Sequence, residues 1–291
     1  MRNTKGQKAL QSVLGAVMNI TYAIHGALPY EIRGLEKIPK DKPCIFVLNH
    51  SNSNDYPNVM KLLHDMAKVR KRRCANTLVA SDSLNAVTKL VFGTTGAVLI
   101  DRNDRGSSAA GIDRLVEHIR NGSDAVFFAE GTWNLHPYEP MLILKRGFAR
   151  AAMRTEAPIV PIVFEYIENH EVCKREADIY ERLIIDICDP VTEIFSTDTE
   201  LAGYVQSMMT DKRRLLWKEN NVHLPALYGR PMTESEIEIY LNHTHLKKNH
   251  AIFKYDTGYE LRFLVRGTCN EFVRGRSGRF EPLGINTVCQ T

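Results

Sequence analysis

Residues 44–57 read Cys-Ile-Phe-Val-Leu-Asn-His-Ser-Asn-Ser-Asn-Asp-Tyr-Pro. Five apolar residues, Cys44 to Leu48, are followed at once by a polar run, the pattern of a short strand buried on both faces. Asp55 and Pro57 then mark a helix start. An aspartate oxygen accepts free first-turn amides, and proline fits where no donor is needed. A buried strand, a polar turn and a capped helix in succession are the repeating unit of an α/β domain.

The same alternation extends outward from this unit. Strands are expected at Cys44 to Leu48, Thr77 to Ala80, Ala97 to Ile100, Ala125 to Phe128, Ile159 to Phe164 and Leu183 to Ile187. Helical spacing is found at Tyr56 to Val69, Ser83 to Val91, Ser107 to Asn121, Arg146 to Thr155 and Thr197 to Asn220. The expected fold class is therefore α/β, with a mixed, mostly parallel central sheet flanked by helices. After Asn221 the character changes. A polar segment around Pro225, Gly229 and Pro231 precedes a helix from Glu234 to Leu241 and strands near Ile252 to Val265, which reads as a small α+β appendage. Three regions result: an N-terminal amphipathic segment over residues 1–30, the main domain over 31–220 and the appendage over 221–291.

The composition is that of a folded globular chain, with 44% hydrophobic and 25% charged residues among 291. A formal net charge of +4 favours anionic partners such as phosphate groups or acidic lipids without singling out nucleic acid. The six cysteines lack any CxxC pair, which argues against a zinc site or a disulfide framework and fits a reducing compartment. No uninterrupted apolar stretch is long enough for a clear spanning helix. Ala9 to Leu28 comes nearest, with Leu10, Val13, Leu14, Val17, Ile24 and Leu28 at helical spacing and Gln11, Asn19 and His25 interrupting. With Arg2, Lys5 and Lys8 upstream, the segment suits either docking at a lipid headgroup layer or packing on the protein's own core.

Three strand ends carry the candidate chemistry. The junction after a parallel strand is where α/β sheets bind ligands, and the first such junction holds His50 and Asp55. An imidazole there can act as general base toward an alcohol while a carboxylate on its other nitrogen fixes the tautomer. The alternative reading is a helix-capping aspartate beside an unrelated turn histidine. The second strand end, Phe127 to Asn134, reads FFAEGTWN and delivers Glu130, Gly131 and Thr132. Glycine admits close approach to the backbone, and a glutamate can bind polyol hydroxyls. The third, Gly96 to Arg102, reads GAVLIDR and brings Asp101 and Arg102 to the same sheet edge, where the planar guanidinium could grip a phosphate.

In the order NHSNSND, GAVLIDR, FFAEGTWN and APIVPIV, these blocks resemble the glycerophospholipid acyltransferase family over roughly residues 30–220. His50 and Asp55 match its His, four residues, Asp motif; Asp101 and Arg102 match its Asp-Arg pair. Phe128, Glu130, Gly131 and Thr132 match a block that usually reads Phe-Pro-Glu-Gly-Thr-Arg-Ser, and Pro158 and Pro161 match its proline-bearing strand. Ala129, Trp133 and Asn134 depart from the usual proline, arginine and serine. Lys145 and Arg146, in a Lys-x-Gly-like segment, offer compensating charge.

The resemblance implies an O-acyltransferase of phospholipid biosynthesis. It would move a fatty acyl group from acyl-CoA or acyl carrier protein to lysophosphatidic acid or glycerol 3-phosphate, with His50 as general base supported by Asp55. Arg102, Glu130, Gly131, Thr132 and Lys145 would bind substrate, with no metal and no cofactor beyond the thioester co-substrate. The implied location is peripheral, on the cytoplasmic face of a membrane. The lost arginine leaves room for a non-phosphate alcohol or another lysolipid, and a non-catalytic lipid-binding relative is a further reading. A hydrolase would lack the GxSxG elbow.

Other clusters point elsewhere. Lys68 to Arg73, KVRKRR, suits a solvated helix end or an anionic surface. His243, His245 and His250 are interleaved with Lys247 and Lys248, which disfavours a cation. Residues 222–291 hold nine Lys or Arg against seven Asp or Glu, too even a balance for a nucleic-acid surface.

Overall fold

A computed structural model of the chain describes residues 5–24, 28–51, 55–67, 69–70, 74–81, 89, 92–101, 103–132, 134, 140–168 and 180–220, and four further strands between 250 and 282. Its elements are helix α1 (Lys5–Ile24), strand β1 (Tyr30–Arg33), a single 3-10 turn (Leu35–Lys37), β2 (Ile45–Leu48), α2 (Asp55–Met66), β3 (Ala75–Ala80) and β4 (Ala97–Ile100). They continue with α3 (Arg105–Arg120), β5 (Asp124–Phe128), α4 (Gly147–Thr155), β6 (Ile159–Glu168), β7 (Tyr180–Ile187) and α5 (Asp198–Glu219).

Seven strands form one sheet in the order β1-β7-β6-β2-β5-β3-β4. The five strands from β6 to β4 run parallel, β7 runs antiparallel to β6, and β1 runs parallel to β7. Every residue of β2 is buried, as a central strand covered on both faces requires. Alternate residues feed two cores. Ile45 and Val47 join Leu115, Val116, Phe127, Phe148, Val205 and Met209 beneath α3, α4 and α5. Phe46 and Leu48 join Val59, Leu62, Met66, Val160 and Phe164 beneath α2.

This division of helices positions the site. The chain leaves β2 toward α2 on one face, and it leaves the adjacent β5 toward α4 on the other. Neighbouring parallel strands whose connections diverge to opposite faces open a crevice at their carboxyl ends. His50 follows β2 and Glu130 follows β5, so both enter that crevice.

The six expected strands are all present, and β6 runs four residues beyond the expected end at Phe164. The short β1 was not expected; its four residues, mostly half-buried, carry little pattern. The expected helix over Ser83 to Val91 lies almost wholly outside the described residues, as does the one over Glu234 to Leu241. In the C-terminal region, β8 (His250–Tyr255) pairs antiparallel with β9 (Gly258–Phe263), and β10 (Phe272–Arg274) with β11 (Phe280–Pro282).

The N-terminal helix forms, but glutamines lie on its inward side. Gln11 donates to the carbonyls of Ala75 at 2.7 Å and Thr95 at 2.6 Å and accepts the Ala75 N–H at 3.1 Å. The β3–β4 ladder begins only at Thr77 and Ala97, so Gln11 supplies Ala75 with the partner that β4 does not reach. Gln7 bonds Asn76, and Gly15 lies against Met60 and His64 of α2. Val13 and Val17, by contrast, are 56% and 47% exposed. Among the described residues no helix is long and apolar enough to cross a membrane.

The basic run has a structural member as well. Arg70 is buried and pairs with Asp124 at 3.1 Å while donating to the Lys42 carbonyl at 2.9 Å. Asp124 also accepts the Cys44 N–H at 2.9 Å, so this arginine braces the amino ends of β2 and β5 where a solvated helix end was expected.

Candidate active site

Asn49 fixes where the turn after β2 begins. Its side-chain oxygen accepts the Phe164 N–H at 2.7 Å and its side-chain nitrogen donates to the Phe164 carbonyl at 2.8 Å. The amide thus continues the β2–β6 ladder by one step and frees the backbone to turn at His50.

His50 is held at three points, two on its ring and one on its main chain. Nδ1 lies 2.8 Å from Asp55 Oδ2, the ring stacks at a tilt on Phe128 with centroids 4.5 Å apart, and the His50 carbonyl accepts the Asn134 N–H at 2.6 Å. The Asp55 side chain is fully buried, whereas that of His50 is 21% exposed. Asp55 Oδ2 also accepts the Ser51 N–H at 2.6 Å, and Oδ1 accepts the Tyr166 hydroxyl at 2.7 Å. An ionised carboxylate only accepts, so the shared proton belongs on Nδ1 and Nε2 is the nitrogen suited to take another.

Glu130 sits 2% exposed at the end of β5. Its Oε1 accepts the His50 N–H and its Oε2 accepts the Leu142 N–H, each at 2.8 Å. Burial pushes the Glu130 carboxyl up from its ordinary value, with those two amides and the charges of Arg213 and His50 opposing. Both oxygens are occupied by main chain, so Glu130 ties the turn after β2 to the loop before α4.

That loop is braced from the far side. Arg213 of α5 pairs with the buried Glu165 at 2.5 Å and donates to the Pro140 carbonyl at 2.7 Å. Gly131 adopts φ 73°, and a Cβ there would lie 3.3 Å from Lys145 Cγ. The stem of Lys145 therefore crosses directly over the glycine, while the Lys145 N–H bonds the Ala129 carbonyl at 2.7 Å. Thr132 follows, half-buried.

The structure thus brings His50, Asp55, Glu130, Gly131, Thr132 and Lys145 to one crevice. Arg102 and Trp133 lie outside the described residues; Asp101 follows β4, two strands from β5. Tyr166, Asn58, Asn49 and Arg213 were not singled out from sequence. Tyr166 fell beyond the expected end of its strand, and Asn58 and Arg213 lie inside expected helices where a single polar residue carries no distinctive signal.

A family model described as Acyltransferase matches residues 29–165, the stretch that holds β1 through most of β6 and every side chain of the His50–Asp55–Glu130 cluster. Over this stretch, just under half of its length, the chain is similar to the Acyltransferase family. It is 28% identical over 176 residues to the human 1-acyl-sn-glycerol-3-phosphate acyltransferase alpha, covering 60% of this chain and 57% of that protein. A chloroplastic 1-acyl-sn-glycerol-3-phosphate acyltransferase of Brassica napus is 28% identical over 137 residues, covering 45% and 36%. The chain therefore spans a little over half the length of the human relative. Its fold is similar to the crystal structure of the 1-acyl-sn-glycerophosphate (LPA) acyltransferase PlsC from Thermotoga maritima, with a TM-score of 0.53 at 18% identity over 72% of this chain and 81% of that one.

Proposed function

We propose that this protein is an O-acyltransferase that acylates lysophosphatidic acid from an acyl thioester, acyl-CoA or acyl carrier protein. The observation that carries this reading is the His50 Nδ1 to Asp55 contact of 2.8 Å in the crevice between β2 and β5. His50 Nε2 removes the proton from the acceptor hydroxyl as that oxygen attacks the thioester carbonyl carbon. Asp55 stabilises the imidazolium that forms. Collapse of the tetrahedral species breaks the carbon–sulfur bond, and the proton passes from Nε2 to the departing thiolate. No covalent enzyme intermediate is needed.

Lys145 and Arg102 are assigned to the acceptor phosphate, Lys145 because its exposed chain crosses Gly131 beside Glu130. Gly131 and Thr132 line the same subsite. The relatives named as 1-acyl-sn-glycerol-3-phosphate acyltransferases support this acceptor. Trp133, where the family usually has arginine, favours as second reading an alcohol or lysolipid without that phosphate. A thiol-release assay with both donors against lysophosphatidic acid, glycerol 3-phosphate, other lysolipids and neutral alcohols tests it. Release confined to lysophosphatidic acid supports the first reading; release only with a neutral alcohol replaces it.

The protein is further proposed to bind peripherally at the cytoplasmic face of a membrane. Gln7 and Gln11 take up the inward side of α1 while Val13 and Val17 remain exposed. Val13→Asp with Val17→Asp should abolish flotation with anionic vesicles without changing stability; unchanged flotation contradicts this docking.

A further inference from the structure

We propose that Tyr166, held by Asn58, is a positioning residue that fixes the Asp55 carboxylate and through it the ring of His50; this rests on His50 and Asp55 being the reacting pair. Tyr166 lies near the end of β6, buried, on the face that packs against α2. Asp55 and Asn58 stand three residues apart on α2, and so on one side of that helix. The Tyr166 hydroxyl meets both: it donates to Asp55 Oδ1 at 2.7 Å and accepts from Asn58 Nδ2 at 2.8 Å.

Proton inventory gives this chain one direction. A carboxylate has no proton to offer, and the Asn58 amide nitrogen has no lone pair to accept with. The single hydroxyl proton of Tyr166 must therefore point at Asp55. Asp55 then receives donors on both oxygens, from Tyr166 on Oδ1 and from Ser51 N–H and His50 Nδ1 on Oδ2. A carboxylate gripped at both ends cannot swing about its Cβ–Cγ bond, so its Oδ2 stays in the plane that keeps the proton on Nδ1 and the lone pair on Nε2. Next to Tyr166 on the same strand, Glu165 faces the other side of the sheet and holds Arg213, which holds Pro140. The end of β6 thereby sets the catalytic pair from one face and the Glu130 loop from the other.

The test uses the full-length protein and the variants Tyr166→Phe and Asn58→Ala. The far-downfield proton resonance of the His50 Nδ1–H···Asp55 bond, assigned by its loss in His50→Ala, should shift or broaden in Tyr166→Phe. Acyl transfer from acyl-CoA to lysophosphatidic acid should lose roughly 10-fold in kcat with KM for both substrates unchanged, because only the orientation of the base is affected. Asn58→Ala should show both changes at about 3-fold in kcat, since the hydroxyl keeps its acceptor but loses its anchor. A folded Tyr166→Phe with wild-type resonance and wild-type kcat overturns the proposal, and the same pair of results in Asn58→Ala does so if Tyr166→Phe does not fold. Should the wild type acylate none of the acceptors, the functional reading falls while the resonance still decides the role of Tyr166.

Discussion

The Glu130 carboxylate accepts the main-chain N–H of His50 at 2.8 Å. One block of the family pattern thus grips the backbone of another, and the grip extends through the second oxygen to Leu142. The two blocks are joined mechanically: the turn that carries His50 is tied to the strand end that carries Glu130.

Replacing Glu130 with glutamine leaves one oxygen to accept and turns the other position into a donor facing an amide N–H. The clamp opens on one side, and a shift of about 1 Å in catalytic geometry costs on the order of 100-fold. Glu130→Gln should therefore lower kcat by roughly that factor, and a wild-type kcat would show the clamp to be dispensable. The stability effect has a definite sign. Burial raises the folded-state value of Glu130 above its ordinary 4.5, so its favourable contribution is complete below the unfolded value and is lost as pH rises through the folded one. The stability of wild type relative to Glu130→Gln, from urea titrations, should increase as pH falls through the raised Glu130 value toward 4.5.

Arg213 is buried against Glu165 at 2.5 Å and against the Pro140 carbonyl. Arg213→Met strands a buried carboxylate, which costs about 3–5 kcal/mol when a buried pair is broken from one side. The double variant with Glu165→Gln should recover a large part of that loss in chemical denaturation but not the activity that depends on the loop from Pro140 to Leu142. Equal stability of the single and double variants would contradict the pairing.

Gly96 serves the fold. At φ 95° its Cβ would fall 2.0 Å from Gln7 Nε2 and 2.9 Å from Asn76 Oδ1. Gly96→Ala combines backbone strain with displacement of the Gln7 and Asn76 side-chain ends and should lose about 2 kcal/mol, measured as a lowered urea midpoint. A midpoint within error of wild type would contradict the strain at this position.

Residues 44–57 made the strand–turn–helix unit legible because burial on both faces writes β2 as an unbroken apolar run, and because a carboxylate and a proline mark the start of α2. The same signal located His50 and Glu130 just past strand ends and Asp55 at the start of α2. Tyr166 stayed hidden because β6 pairs with β7 beyond Phe164, so the strand continues through Glu165 and Tyr166 by pairing that leaves no local pattern. Glu130 was legible as a carboxylate just past a strand end, but its partners were not: the amides of His50 and Leu142 are main chain, which every residue shares. The orientation of α1 was equally out of reach. Gln11 interrupts an apolar helix in sequence, and only the unpaired backbone of Ala75 explains why a glutamine faces inward there.

His50 is proposed as the base on the acceptor hydroxyl, with Asp55 behind it. The most direct measurement is thiol release from acyl-CoA in the presence of lysophosphatidic acid, comparing wild type with His50→Ala and Asp55→Asn at matched foldedness. Wild type should show acceptor-dependent release, His50→Ala no detectable release, and Asp55→Asn a loss on the order of 10³-fold or more, because an amide replaces the carboxylate facing Nδ1. Acceptor-dependent turnover at the wild-type rate in folded His50→Ala would contradict this role for His50.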